Sequence, residues 1–269
     1  MFTSAQVLPG VFHITDCMGV NMTLLQGTEK ALLIDTGYGL ENGKEYAEFL
    51  AGKKVQVLLT HGHHDHALGS AHFDRVFLFE EDREVFRLYT GREQRQRVAR
   101  QAEAKGLTLP EGFETRPMPE AVPLMKAPDQ ESGFERADIP LGGMTALVYH
   151  VPGHTTGSAV IYVPERELLL TGDNWNPCTW VWFPESESVI TLRENMKRIL
   201  RLLPAKHVLC SHRPELFGME TVNAFFGFIT DDTLKNAEKI PIGEEDDIRE
   251  LSIPGGMVIR FDAKKAGIR

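Results

Sequence analysis

Short runs of β-branched and aliphatic residues recur along both halves of the chain, and glycines or prolines separate them. Runs of about four to eight such residues between turn signals are typical of strands. The predicted strands span residues 7–15, 21–26, 31–34, 55–59, 75–79, 144–151, 159–163, 167–170 and 207–210. A final hairpin is predicted over residues 251–261, with its turn at residues 254–256.

Helical stretches lie between these strands. The clearest is an amphipathic pattern that begins at Val189 and that Pro204 stops. Its apolar positions are Val189, Leu192, Met196, Ile199, Leu200 and Leu203. Other helices are predicted over residues 41–50, 81–105, 220–229 and 232–238, with Gly91 a weak point in the second of these. The strands before residue 60 therefore suggest a meander with one helix inserted.

Residues 106–133 differ from the rest in being rich in proline and poor in periodic pattern. Such a segment is typical of an extended loop or a cap. Four side chains would give it an apolar underside: Phe113, Met118, Leu124 and Met125. We expect a single domain over residues 1–269 with an inserted cap over residues 80–143, and the pattern leaves open whether residues 106–133 cover a site.

The predicted helix 81–105 is rich in basic residues. They are Arg83, Arg87, Arg92, Arg95, Arg97, Arg100 and Lys105. A run of charge usually forms a solvated helix face, and we favour that interpretation here. Binding of an anionic substrate or of a partner protein is the alternative.

The composition is typical of a soluble globular protein, with 42% hydrophobic and 25% charged residues. A formal charge of −9 argues against a dedicated nucleic-acid-binding protein, which would need a basic surface. No apolar run is long enough to cross a bilayer, and residues 1–10 lack the basic and apolar regions of a signal peptide. The three widely spaced cysteines do not suggest disulfides. We therefore expect a cytoplasmic protein that acts on a small molecule, without nucleic-acid or membrane partners.

The most informative stretch is residues 60–66, which read T-H-G-H-H-D-H directly after a predicted buried strand. Imidazole and carboxylate groups in one short run are typical of a metal site. Side chains two positions apart on an extended backbone point the same way, so His61 and His63 can reach one ion together. Asp65 and His66 need a turn, or the first turn of a helix, to face a second ion. One loop cannot complete the ligands of a metal, so others must come from elsewhere in the chain.

Chemically active side chains also follow other predicted strands. His154 and Asp173 lie beside glycines at strand ends, where the backbone can approach a ligand closely. His212 follows a further strand. Asp35 directly follows a buried strand, and it either caps the glycine-rich turn or orients a ligand histidine through a hydrogen bond. Alone, each of these residues would usually be structural, but their placement at strand ends favours a functional role.

In this order, Asp35, the T-H-x-H-x-D-H run, His154, Asp173 and His212 resemble the five motifs of the metallo-β-lactamase-fold hydrolases. The similarity spans residues 7–213. It implies an α+β fold, an αββα four-layer sandwich in which two sheets face each other and helices lie outside. The metal site would lie at one edge of the sandwich.

The resemblance also implies a ligand role for seven side chains and an orienting role for Asp35. Those expected at the first metal are His61, His63 and His154. Those expected at the second are Asp65, His66 and His212. Asp173 would bridge the two ions. We expect two divalent cations, zinc before iron or manganese.

Two positions narrow the branch of the family. Asp173, where antibiotic-hydrolysing members have cysteine, resembles the glyoxalase II and lactonase branches. His63, rather than glutamate, argues against the flavodiiron branch. Only a short tail follows His212, unlike the C-terminal helical domain of glyoxalase II, so glutathione thioesters are not favoured.

Two cations bridged by a carboxylate hold a water between them and lower its pKa toward neutrality. The predicted function is therefore a dinuclear metal-dependent hydrolase, in which a bridging hydroxide cleaves a small ester, thioester or lactone. Asp65 would orient this nucleophile or transfer a proton.

Three alternatives stay open. Phosphodiester cleavage fits the motifs but not the acidic charge. A persulfide dioxygenase would bind a single iron through His61, His154 and Asp173, with open positions for oxygen and substrate. A binding or scaffold protein without turnover would have no need of seven intact ligand positions.

All the tryptophans of the chain fall just after Asp173, with Phe183 beside them: Trp175, Trp180 and Trp182. These four aromatic residues would form an apolar wall of the substrate pocket or, equally, part of the core or of a homodimer interface. Cys178 in the same stretch is expected to be a small buried filler. The histidines predicted to be non-ligands are His13, His64, His72, His150 and His207.

Overall fold

Each predicted strand is present, and the described residues contain six further strands between them. The structure, a computed structural model, describes residues 1–242 and 247–268. Its strands are β1 (Thr3–Leu8), β2 (Val11–Thr15), β3 (Asn21–Gln26), β4 (Ala31–Ile34), β5 (Val55–Leu58), β6 (Arg75–Leu78), β7 (Glu120–Pro123), β8 (Ala127–Asp129), β9 (Phe134–Pro140), β10 (Thr145–His150), β11 (Ala159–Val163), β12 (Leu168–Leu170), β13 (Cys178–Val181), β14 (His207–Leu209), β15 (Phe217–Gly218), β16 (Glu238–Lys239), β17 (Ile248–Ile253) and β18 (Met257–Asp262).

Helices connect these strands and cover the sheets. They are α1 (Gly43–Ala51), α2 (His64–Ala67), α3 (Arg83–Tyr89), α4 (Arg92–Ala104), α5 (Val189–Leu202), α6 (Met219–Phe228) and α7 (Asp231–Lys235). Ser188 caps the N-terminus of α5 by accepting a hydrogen bond from the Thr191 amide. No helix within residues 1–242 and 247–268 is both long enough and apolar enough to cross a membrane.

Two seven-stranded sheets make up most of the molecule. The first has β1 to β7 in chain order, and the second has the order β15-β14-β12-β11-β10-β9-β8. Neighbouring strands are parallel from β4 to β7 and between β12 and β14. The carboxyl ends of β4 and β5 therefore point the same way, as do those of β12 and β14.

Alternation along the strands turns one face of each sheet toward the other. In β4, Leu32 and Ile34 belong to the core between the two sheets, whereas Ala31 and Leu33 pack on the outer side with helix α1. The outer face of the second sheet packs against α5 and α6. The result is the expected αββα sandwich of the α+β class.

Two predicted elements divide at glycines. The strand predicted over residues 7–15 is in fact β1 and β2, because Gly10 (φ +72°) turns the chain back on itself. The helix predicted over residues 81–105 is in fact α3 and α4. Gly91 has extended backbone (φ −65°, ψ 166°) that no helix can continue.

Residues 106–133, expected to be a loop or cap, contribute β7 to the first sheet and β8 to the second. Their Phe113 packs against Val98 and Ala102 of α4. Part of this segment therefore forms strands of both sheets instead of an extended loop. Its local pattern is weak because its strands are short and lie at the sheet edges.

A third, four-stranded sheet was not foreseen. The predicted hairpin is confirmed as β17 and β18, with Ile253 opposite Met257 across the turn. This hairpin pairs with β13 on one side and β16 on the other. Helix α7 ends at Lys235, short of the predicted 238, and β16 begins at Glu238. The hairpin packs on the α5 and α6 side of the second sheet.

Candidate metal centre

The predicted site residues meet at one edge of the sandwich, beyond the carboxyl ends of several strands. At this edge lie Asp35 after β4, residues 60–66 after β5, His154 between β10 and β11, Asp173 after β12 and His212 after β14. The Ala159 amide donates a hydrogen bond of 2.8 Å to the Thr60 carbonyl and joins the two sheets there. Such crevices beyond strand ends are common ligand sites in sheets with parallel strands.

All seven predicted ligands come together there. Their donor atoms form three overlapping groups, each with all atoms within 4.8 Å of one another. The groups are His61, His63 and His154; His61, His66 and Asp173; and Asp65, His66 and His212. The groups share His61 and His66, so they form one continuous centre.

Asp173 lies between the two halves of the centre. Its Oδ2 is 2.9 Å from His212 Nε2, 3.6 Å from His66 Nε2 and 3.8 Å from His154 Nε2. On one side, the facing ring nitrogens of His63 (Nδ1) and His154 (Nε2) are 2.9 Å apart. The carboxylate thus reaches both groups of histidines, which is the position that a bridging ligand needs.

Several donor atoms of the centre have no protein partner. Within the described residues, His61 Nε2, His66 Nε2 and Asp173 Oδ1 are buried without a hydrogen bond. Leaving a buried polar atom unpaired costs about 1–3 kcal/mol, so such atoms need another partner. A divalent cation is a suitable partner for imidazole nitrogen and carboxylate oxygen together. The residues present therefore fit a metal.

Asp35 orients two of the predicted ligand histidines, His66 directly and His61 through Thr60. Its carboxylate accepts hydrogen bonds from the Thr60 amide (2.7 Å) and hydroxyl (2.8 Å), and it lies 2.8 Å from His66 Nδ1. Thr60 Oγ1 in turn lies 3.0 Å from His61 Nδ1. Asp35 has a left-handed backbone (φ +63°), a strained conformation for a non-glycine residue. Of the two interpretations offered for Asp35, the structure shows the hydrogen bond to a histidine.

The other two histidines of the first group are held in the same way. His63 Nε2 lies 2.6 Å from Glu185 Oε1. His154 Nδ1 donates to the Trp180 carbonyl at 2.6 Å. In each ring the nitrogen that is not held faces the centre. Hydrogen bonds of this kind set the tautomer and orientation of metal-ligating histidines.

The electrostatics of the centre favour a cation. Burial would raise the pKa of Asp173, but the neighbouring His212 and His66 hold it well below its usual range. Burial alone would lower the pKa of His66, yet three neighbouring carboxylates, with Asp35 the strongest, raise it well above its usual value. Burial and the surrounding imidazoles keep the pKa of His61 well below 6.5, so it is a neutral donor.

Asp82 was missed by the sequence analysis. This wholly buried carboxylate accepts hydrogen bonds from the Gly62 amide at 2.6 Å and the Gly157 amide at 2.9 Å. It therefore ties the loop that carries His61 and His63 to the loop that carries His154. Glu185 was missed as well. Neither residue stands in a recognisable motif, so no local signal could have found them.

A cavity of about 500 Å³ opens onto the centre. Its floor includes His63, Asp65, His154, Asp173 and His212. Further lining residues are Tyr38, His64, Tyr89, Gln101, Asn176, Cys178, Trp180 and Phe183. Tyr89 and Gln101 belong to α3 and α4, whereas no residue of 106–133 is among those that line the cavity in the described chain.

Two of the four aromatic residues expected in the pocket wall line the cavity. Trp180 and Phe183 line the cavity, and Trp182 stacks on Phe183 from behind with ring centroids 4.7 Å apart. Trp175 instead lies wholly in the core, where it packs edge-on against Phe217 at 5.1 Å. Of the two interpretations offered for these aromatic residues, Trp175 therefore follows the core one, as part of the cluster that also contains Phe225 and Val181.

Cys178 was expected to be buried but is exposed and lines the cavity, 3.3 Å from the Trp180 indole nitrogen. His64 also lines the cavity but belongs to none of the three donor groups within the described residues. His13 is a structural residue, with its two ring nitrogens near Thr23 Oγ1 and the Arg213 carbonyl.

The chain belongs to the metallo-beta-lactamase superfamily, whose family model matches residues 15–212. Among curated relatives, the acyl-coenzyme A thioesterases MBLAC2 of Homo sapiens and Bos taurus are each 29% identical over 182 residues. That match covers 57% of this chain and 57% of either relative. The thioesterase of the same name from Gallus gallus is 27% identical over 228 residues, 74% of each chain.

Solved structures agree in fold. The protein TTHA1623 in a di-iron-bound form has a TM-score of 0.51 and 25% identity, and the match covers 75% of this chain and 90% of that one. A sec-alkylsulfatase from Pseudomonas sp. has a TM-score of 0.64 and 19% identity, covering 84% of this chain and 40% of that one. Family and relatives together support the expectation of a metal-binding hydrolase.

Proposed function

We propose that the protein is a dinuclear metal-dependent hydrolase that cleaves thioesters. The observation that carries the proposal is the set of buried donor atoms without a protein partner, His61 Nε2, His66 Nε2 and Asp173 Oδ1, in a centre whose Asp173 lines an open cavity. Membership of the superfamily supports hydrolysis. The choice of thioester, over another ester or a lactone, is supported by the 29% identity to the acyl-coenzyme A thioesterases MBLAC2.

We assign two divalent cations to the centre, zinc before iron or manganese. The ligands of the first are His61, His63 and His154, and those of the second are Asp65, His66 and His212. Asp173 is the bridging ligand, as its contacts with both groups suggest. The di-iron-bound form of TTHA1623, 25% identical, supports a two-metal site.

When bound, the two cations supply a water of lowered pKa and polarise the thioester carbonyl. Asp65 lines the cavity, with Oδ2 at 3.6 Å from His212 Nε2, and its carboxylate is placed to orient the attacking water and accept its proton. Trp180 and Phe183 form the apolar side that receives the acyl group. The carbon–sulfur bond would then break, and the thiolate would leave on the open side of the cavity with the proton that Asp65 had accepted.

The test begins with protein purified without added metal, in which Zn, Fe and Mn are counted per chain. We expect about two ions per chain. Hydrolysis is then compared across an acyl-coenzyme A, a simple ester and a lactone, and the thioester should give the highest kcat/KM. A chelator should abolish turnover, and adding back the metal found should restore it.

Other outcomes point elsewhere. About one Fe per chain, with oxygen consumption on a persulfide, would replace the proposal by a dioxygenase. Faster cleavage of a phosphodiester than of any thioester would assign the alternative hydrolase. Protein that holds no metal even after supplementation would remove the basis of the proposal.

A further inference from the structure

Helix α4 brings positive charge to the rim of the cavity. Gln101 of α4 lines the cavity, and Arg97 lies one helical turn before it on the same face. The opposite face of α4 is buried through Val98, Ala99 and Ala102, so Arg97 is directed away from the core and is exposed. Arg100, also exposed, is the next arginine on this side.

Arg97 acts electrostatically on two residues of the cavity wall. Burial lowers the pKa of His64, and the charge of Arg97 adds to that effect. Burial and a hydrogen bond to Glu185 raise the pKa of Tyr89, whereas Arg97 opposes the rise. His64 and Tyr89 both line the cavity and stack with their ring planes 9° apart, so the two residues that the Arg97 charge reaches are neighbours in its wall.

Of the other four arginines of α3 and α4, three already have partners, and Arg92, at the start of α4, has none within the described residues. Arg83 pairs with Glu80, Arg87 pairs with Glu84, and Arg95 donates to the Thr90 carbonyl at 2.9 Å. Within residues 1–242 and 247–268, neither Arg97 nor Arg100 has a carboxylate at salt-bridge distance. In a protein of net charge −9, two unpaired guanidinium groups at a cavity rim are a feature that a solvated helix face does not require.

The lining of the cavity combines two kinds of chemistry. Trp180 and Phe183 are apolar, whereas Tyr89 and Gln101 are polar, with Arg97 one helical turn from Gln101. A thioester has the same combination when its thiol half carries an anion. The acyl chain needs an apolar wall, and a phosphate needs a guanidinium that can donate two hydrogen bonds.

We propose that Arg97, assisted by Arg100, binds a phosphate of the thiol half of the substrate and so selects thioesters of coenzyme A over neutral thioesters. This specificity role rests on the proposed function, because it presumes thioester cleavage at the metal centre. For the basic helix, it adopts binding of an anionic substrate, the alternative to a solvated face.

The experiment compares two substrates with the same acyl group and the same reacting bond. One is an acyl-coenzyme A, and the other is the acyl thioester of N-acetylcysteamine, which lacks every phosphate. In the metal-loaded full chain, Arg97→Gln should lower kcat/KM for the acyl-coenzyme A about tenfold, mostly through KM. It should change kcat/KM for the neutral thioester less than about twofold. Added salt should raise KM for the charged substrate alone.

Two further variants sharpen the comparison. Arg97→Lys keeps the positive charge but loses the planar guanidinium group and its paired donors. Its kcat/KM should therefore lie between those of Arg97→Gln and the wild type. Arg201→Gln, on α5 beside the second sheet, removes the same charge far from the cavity and should change neither substrate. Circular dichroism and metal content of each variant should match those of the wild type.

Equal losses on both substrates would overturn the specificity role, since they would indicate damage to the site as a whole. No loss on the acyl-coenzyme A would overturn it as well. In both cases hydrolysis of thioesters by the wild type would still stand. If the metal-loaded wild type cleaves neither thioester, the proposed function and this inference fail together.

Discussion

At the scale of single residues, the histidines of the centre differ from the others in how their two ring nitrogens are used. His61, His63, His66 and His154 each have one nitrogen held by a protein group, while the other faces the centre. His13 has both nitrogens close to protein groups and none left for a ligand. The division of the two nitrogens is therefore what separates the proposed ligands from a structural histidine.

We predict that His63→Ala and His212→Ala each reduce bound metal and lower turnover more than about 100-fold, because each variant removes a ligand from one of the two proposed sites. Elemental analysis and a thioesterase assay measure the two effects. His207→Ala, in β14 but away from the centre, is the matched control and should keep both properties. Full activity with metal retained in either ligand variant would contradict the assignment.

Glu185 is the partner of His63 and offers a second test at this scale. We predict that Glu185→Ala weakens metal binding about 10- to 100-fold, because the His63 ring loses the hydrogen bond that orients it. Competition with a chromogenic chelator measures the affinity. The control is Glu187→Ala, which removes a carboxylate two positions away that has no ion pair within the described residues. Equal metal affinity in both variants would show that Glu185 does not position His63.

At the scale of elements, the loops that carry the histidines are held closely against α3 and against Asp82. A Cβ atom at Gly62 would clash with the backbone nitrogen of Phe86 in α3. A side chain at Gly157 would come within 2.6 Å of Asp82. The ligand loops can therefore adopt this arrangement only with glycine at these two positions.

We predict that Gly62→Ala displaces the loop between His61 and His63, and that metal content and thermal stability both fall. The destabilisation should be about 1–3 kcal/mol, the usual cost of overpacking. The control is Gly227→Ala in α6, where an added methyl group meets nothing within 4 Å. That change should be neutral or stabilising by up to about 1 kcal/mol. Unchanged metal content in Gly62→Ala would show that the loop between His61 and His63 does not need glycine at this position.

At the scale of the whole molecule, the centre joins the two sheets. Asp35 and residues 60–66 come from the first sheet, whereas His154, Asp173 and His212 come from the second. The centre also concentrates carboxylates, which repel one another when no cation is present. A bound metal should therefore stabilise the contact between the two halves as well as complete the site.

We predict that metal removal lowers the thermal unfolding midpoint by on the order of 10 °C. A ligand present at about 1,000 times its Kd stabilises the folded state by about 4 kcal/mol, and that energy is lost with the metal. Differential scanning calorimetry of the chelated and reloaded protein measures the change. In His63→Ala the same treatment should have a smaller effect. An unchanged midpoint in the wild type would show that the centre contributes little to folding.

Much of this protein could be predicted from local sequence pattern. The strands before residue 60 and the buried face of α5 follow from periodicity, because a strand or helix exposes its faces at a fixed spacing. The residues that meet at the centre could be identified because imidazole and carboxylate groups are metal ligands, and because their spacing at strand ends is typical of a metal site. Short edge strands such as β7 and β8 escaped prediction because neighbouring strands, and not local propensity, stabilise them.

The sequence by itself determined most strands of the two-sheet core, the alternation that buries their faces, and the set of histidines and aspartates at the strand ends. Only the tertiary structure decided which other residues orient these histidines and aspartates and which residues line the cavity. Glu185 reaches His63 across 122 positions of the chain, and Trp175 lies in the core although its neighbours Trp180 and Phe183 line the cavity. Pattern along a chain reports the contacts of near neighbours, whereas these roles depend on contacts that exist only after the sheets have packed.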